Sequence, residues 1–207
     1  MSALRPVAVL GGTFDPIHAG HLAVLDQVRR ALGAGEAWLV PTALPPHRRP
    51  AHASVDDRLA MVRAAAEGHE GVRVLDLEAR RPGPSYTIDT LDELERLHPG
   101  TTPWFILGAD AARDIGQWHR AGELLDRANF VIVNRSGVPP LDDAQAGALG
   151  FAPERTRVLH VDSPDVSATE IRRRVAAGEP VDGMVTPAVA RVIAERGLYR
   201  ASGNRVG

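Results

Sequence analysis

Short apolar runs alternate along the chain with longer segments whose apolar residues recur every three or four positions. The first pattern marks buried strands and the second marks helices with one buried stripe. Residues 7–10, 36–40, 72–77, 104–107, 130–133 and 158–161 read as strands. A segment from about 21 to 32 places His21, Leu25, Val28 and Leu32 at helical spacing. Ser54, with Asp57 three residues on, predicts an N-cap for a helix through Leu59, Val62 and Ala66. Thr87 or Asp89 caps a further helix with Leu91, Leu94 and Leu97 on one face and Pro99 at its end. A helical stretch covers about 121–128. Ser167-Ala168-Thr169-Glu170 has the capping-box pattern, and Thr186-Pro187 puts proline at the first position of a last helix, which Gly197 ends. Residues 136–150, rich in Gly, Pro and Asp, read as a surface excursion.

Such alternation predicts an α/β fold, a doubly wound and mainly parallel sheet with helices on both faces. The 207 residues suffice for a single domain over 1–200. Its small C-terminal helical part spans about 167–200, and 201–207 reads as a frayed tail. Sheets of this kind bind ligands beyond the carboxyl ends of their strands. The loops after Leu10, Val40, Leu107, Val133 and Val161 therefore converge on one site.

The first of those loops carries the most chemistry. Gly11 and Gly12 let the backbone turn sharply and let a ligand approach its N–H groups. His18 and His21, three apart, share one face of a helical turn. A helix start there suits phosphate oxygens, with two potential cations beside them. Surface histidines or a zinc site are the competing readings, but a zinc site needs more ligands and the chain has no cysteine. Ser167, Thr169 and Arg172 put two hydroxyls and a guanidinium at another helix start. His47 and Arg48, in a proline-rich loop, read either as a solvated basic loop or as an anion contact. Asp110, after Gly108, either binds ribose hydroxyls or caps a helix; Trp118 either packs in the core or stacks on an aromatic ring.

Charge narrows the partners. With 24 basic and 26 acidic residues, nothing global points to nucleic acid or an anionic membrane. No apolar run approaches the ~20 residues that span a bilayer. Absence of cysteine and of a signal-like N-terminus suits a cytoplasmic protein. The sequence leaves room for a homo-oligomer.

The string Gly11-Gly12-Thr13-Phe14-Asp15-Pro16-Ile17-His18-Ala19-Gly20-His21 resembles the H-x-G-H element of the nucleotidylyltransferase superfamily. More closely, it is similar to that of bacterial nicotinate-mononucleotide adenylyltransferases. Ser167 to Arg172 resembles the second nucleotide motif of that family, Ile-Ser-Ser-Thr-x-Ile-Arg, with Val166 and Ala168 departing from it. Pro45-Pro46-His47-Arg48 and Ser85-Tyr86-Thr87-Ile88-Asp89-Thr90-Leu91 match two further family strings. Thr42 stands where relatives often carry asparagine.

This resemblance implies a Rossmann-like fold and adenylyl transfer from ATP to nicotinate mononucleotide, releasing pyrophosphate. It implies that His18, His21 and Arg172 are catalytic. ATP would contact Gly11, Gly12, Thr13 and Phe14, the two histidines, Gly108 and Asp110, and Ser167, Thr169 and Arg172. The mononucleotide would contact Thr42, His47, Arg48, Tyr86, Thr87, Asp110, Trp118 and Arg135. Mg²⁺ would bind mainly through the ATP phosphates, with no metal ligand from the protein. Rival expectations are another H-x-G-H enzyme, of the phosphopantetheine adenylyltransferase or cytidylyltransferase type, and a non-catalytic nucleotide-binding regulatory module.

Overall fold

The computed structural model describes residues 4–44, 51–135 and 137–200. Among them, six strands form one parallel sheet in the order β3-β2-β1-β4-β5-β6. They are β1 (Arg5–Gly12), β2 (Glu36–Pro41), β3 (Val72–Val74), β4 (Thr101–Gly108), β5 (Asn129–Asn134) and β6 (Thr156–His160). The order reverses between β1 and β4, so a crevice opens at their carboxyl ends.

Both faces are apolar because strand side chains alternate. Ala8 and Leu10 of β1 join one core with α1 (Ala19–Leu32), α2 (Val55–Ala66), α8 (Ala168–Ala177) and α9 (Pro187–Glu195). Val7 and Val9 join the other, with α4 (Thr87–Leu97), α5 (Ala109–Arg113), α6 (Ala121–Arg127) and α7 (Asp143–Ala148). A one-residue slip in β1 would exchange the two sets.

Several element boundaries differ from expectation. Gly11 and Gly12 do not form the loop; they extend β1 and pair with Val40 and Pro41. Glycine adds no hydrophobic signal, so the strand outlasts its apolar run. The 72–77 run is a strand only to Val74, because β3 lies at the sheet edge and pairs with β2 alone. Its remainder turns into the short helix α3 (Leu77–Arg80). Met61, Val62 and Ala65, with Arg58, form the buried face of α2, whereas Leu59 is only half-buried. Leu97 is exposed at the end of α4. Thr87 is the first helical residue there, with Tyr86 at the cap.

The 136–150 segment is not a loose excursion. Asp142 and Gln145 form a capping box that starts α7. Buried Asn134 donates to Leu141 O at 2.7 Å and accepts from Leu141 N at 2.9 Å. Leu141, Ala146 and Phe151 are core residues.

Candidate active site

The first loop leaves β1 at Gly12, and its geometry is set by one aromatic ring. A side chain on Gly12 would come within 3.0 Å of the Phe14 ring. Phe14 itself is buried in a left-handed conformation, φ 49°, which a bulky residue adopts only when its surroundings hold it. Its ring meets the edge of His21 at 5.1 Å, with the ring planes 86° apart.

His18 is the N-cap of α1, so that helix begins at Ala19, two residues before the expected start. The His18 N–H donates to His21 Nδ1 at 3.2 Å, and the two imidazoles stack with centroids 3.7 Å apart. An accepting Nδ1 puts the ring proton of neutral His21 on Nε2. The buried His18 Nδ1 has no partner among the described residues. Gly20 makes room for that ring, since a Cβ there would lie 3.1 Å from His18 Nδ1 and 3.6 Å from Pro164 O.

Burial, then the nearby Arg135 charge, brings the His18 pKa down to about 4. Burial, with His18 and then Arg135, holds His21 well below the ordinary value. In the free protein the pair is therefore neutral at pH 7, which corrects the picture of two cations. The imidazoles offer N–H donors, and the charge comes from arginine. Arg135 is exposed just beyond β5 and lies close enough to act on both rings.

Arg172 approaches from α8. Its guanidinium donates to Asp15 O at 2.7 Å and to Thr169 Oγ1 at 3.2 Å. Ser167 caps that helix, accepting from Glu170 N at 3.2 Å. The expected reciprocal half of this capping box is absent, because the Glu170 carboxylate pairs with Arg173 and Arg174, each at 2.9 Å. Both hydroxyls, Ser167 and Thr169, are on exposed residues.

Two residues outside the expected set shape the rim. Arg58 is buried in α2 and donates to three main-chain carbonyls: Thr13 at 2.6 Å, Thr42 at 2.7 Å and Ala43 at 3.1 Å. Thr42 N also donates to Gly12 O at 2.9 Å, so the loops after β1 and β2 are tied together. Glu78 of α3 is the second; it accepts from Thr90 Oγ1 at 2.7 Å, and burial raises its pKa. Neither carried a sequence signal, since an arginine and a glutamate on helices ordinarily face water.

Around the far part of the rim, Tyr86 stacks on His119 at 4.2 Å with planes 28° apart. Trp118 is half-buried and packs, with Tyr86, against the second core, so core packing accounts for much of its indole. Thr87 is half-buried at the start of α4. Gly108 ends β4 and caps α5; a side chain there would strike the exposed Asp110 carboxylate. His47 and Arg48 lie outside the described residues, as does the tail 201–207.

Residues 9–174 match the model of the cytidylyltransferase-like family. A probable nicotinate-nucleotide adenylyltransferase of Exiguobacterium sibiricum is 37% identical over 195 residues, 93% of this chain and 98% of the relative. Another, from Aeromonas hydrophila, is 39% identical over 208 residues, covering 94% of this chain and 97% of its own length. The solved structure of Plasmodium falciparum nicotinic acid mononucleotide adenylyltransferase complexed with NaAD has the same fold, at a TM-score of 0.78 and 22% identity, covering 94% of this chain and 97% of that one. With its histidine pair at the switch point of the sheet and full-length relatives well above a third identical, the chain belongs to the cytidylyltransferase-like family and, within it, to the nicotinate-nucleotide adenylyltransferases.

Proposed function

We propose that the protein transfers the adenylyl group of ATP to nicotinate mononucleotide, forming nicotinate adenine dinucleotide and pyrophosphate for NAD biosynthesis. A phosphate oxygen of the mononucleotide attacks the α-phosphorus in line as the bond to the β-phosphate oxygen breaks. That nucleophile is already an anion at pH 7, so the protein need not remove a proton. Its work is to bring two anions together and to stabilise charge on the α-phosphoryl oxygens and the leaving group.

The observation that carries this reading is the neutral, stacked histidine pair beyond β1, with Arg135 near both rings and Arg172 held on the main chain of Asp15, three residues before His18. Buried imidazole N–H groups are preorganised donors for developing phosphoryl charge. Arg172, at a helix start, suits the β- and γ-phosphates. We assign the ring-binding end to the rim of Thr42, Tyr86, Thr87 and Trp118; the mononucleotide phosphate we assign, on the family resemblance alone, to His47 and Arg48. Among the described residues, no three His, Asp or Glu side chains form a metal cage. Mg²⁺ would ride mainly on the ATP phosphates, because it is held largely by substrate oxygens and water, and would neutralise phosphate charge. No helix among the described residues is long and apolar enough to cross a membrane, and the absence of cysteine fits the cytoplasm.

The test is pyrophosphate release from ATP and Mg²⁺ with a panel of acceptors. Nicotinate mononucleotide should be the preferred acceptor, exceeding its amide analogue in kcat/KM by at least about tenfold, because the backbone N–H groups that the family resemblance implies around the ring favour a carboxylate over an amide NH₂. Preference for phosphopantetheine or a cytidylyl acceptor, or no turnover at all, would overturn the reading.

A further inference from the structure

One buried acid is left unused by this chemistry. Asp15 lies three residues before His18, and its carboxylate accepts from His52 N at 2.6 Å, Ala53 N at 3.1 Å and the Tyr199 hydroxyl at 2.8 Å. Its main-chain carbonyl accepts from Arg172 at 2.7 Å. A single residue thus holds the turn leading into the histidine pair and also seats the arginine.

Tyr199 is the distant member of this group, beyond the end of α9. It takes a left-handed conformation at φ 60°, which an aromatic residue keeps only where its contacts compensate. Its ring packs on the first core, and its hydroxyl also lies 3.8 Å from Met61 Sδ. Burial and the Asp15 carboxylate raise the phenol pKa, so the hydroxyl stays protonated and donates. An apolar contact alone would be served by phenylalanine. The hydroxyl adds the short bond to Asp15, beside a long contact with Met61 Sδ.

We propose that Tyr199 is a positioning residue: by fixing the Asp15 carboxylate it holds the turn that presents His18 and the carbonyl that seats Arg172. Its role rests on the adenylyl-transfer reading, because it acts through groups assigned to that reaction. Phosphoryl donors displaced by a fraction of an ångström lose transition-state contacts before they lose substrate binding.

The experiment compares Tyr199→Phe with wild type. The expected result is a kcat lower by about tenfold, with KM for ATP and for nicotinate mononucleotide each within about threefold. In the substrate-free protein, NMR should show shifted imidazole resonances for His18 and His21 and unmoved ones for His69 and His98. Asp15→Asn, which keeps the shape and loses one acceptor oxygen, should reproduce the pattern. Unchanged kcat, an effect confined to KM or to Tm, or unmoved His18 and His21 resonances would each overturn the proposal. Failure of wild type to turn over would count against the reaction itself, and the NMR arm would still decide the positioning role.

Discussion

His18 and His21 are joined twice, by ring stacking at 3.7 Å and by a hydrogen bond from the His18 backbone to His21 Nδ1. The second contact fixes the tautomer of His21, and the first holds the two rings face to face. Replacing either histidine by alanine should lower kcat by ~10²–10³, the range for losing one preorganised donor, with a smaller change in ATP affinity. Steady-state kinetics checks this, and near-normal kcat in either variant would remove that histidine from catalysis.

The depressed pKa of His18 makes stability pH-dependent. The unfolded chain takes up a proton near pH 6.5 and the folded one only near pH 4. The native state therefore binds fewer protons within that window. Stability is full above about pH 6.5 and falls as the pH drops toward 4, by about 3 kcal/mol from this residue. His21, shifted in the same direction, steepens the loss. Urea unfolding at pH 7 and pH 4.5 should show the fall, and His18→Asn should flatten it.

Gly20 separates ring placement from helix strength. Alanine is the better helix former, but its Cβ would press on His18 Nδ1 from 3.1 Å. Gly20→Ala should leave Tm within a few degrees while reducing kcat about tenfold, as donors move off the phosphoryl oxygens. A variant with unaltered kcat would mean that the His18 ring has more freedom than its packing indicates.

Arg172 makes two directional contacts at once, to Asp15 O and Thr169 Oγ1. Arg172→Ala should weaken ATP by about tenfold or more while mononucleotide binding stays nearly intact. Arg172→Lys should recover only part, because an ammonium cannot reproduce a planar fork. Separate calorimetric titrations of the two substrates decide it. If the mononucleotide is the ligand that weakens, the two substrates lie the other way round.

The sheet was legible from apolar runs in five strands and from the alternation of Val72 and Val74 about Arg73 in β3, and three of the helices from their caps at Ser54, Ser167 and Thr186. Strand ends were not, since Gly11, Gly12 and Gly108 continue strands without any hydrophobic signal. The cap pair Asp142 and Gln145 was present in the sequence but was masked by the Gly, Pro and Asp around it. In the candidate site, the closeness of His18 and His21 followed from their spacing. The neutral state of the two imidazoles did not, because it depends on burial by segments distant in sequence. The contacts of Arg58, Asp15 and Tyr199 were hidden for the same reason: each partner is a carbonyl, amide or carboxylate that only the folded chain brings near.

Arg58 grips only main-chain carbonyls, and every amino acid supplies one. Arg58 thus asks nothing of the side chains at positions 13, 42 and 43, although the Thr42 hydroxyl also bonds to Glu78. They can be exchanged to recognise a different acceptor while the crevice keeps its shape. One buried cation makes this rim a socket with interchangeable fittings, and a redesign of acceptor choice should begin at Thr42 and Ala43 and leave Arg58 in place.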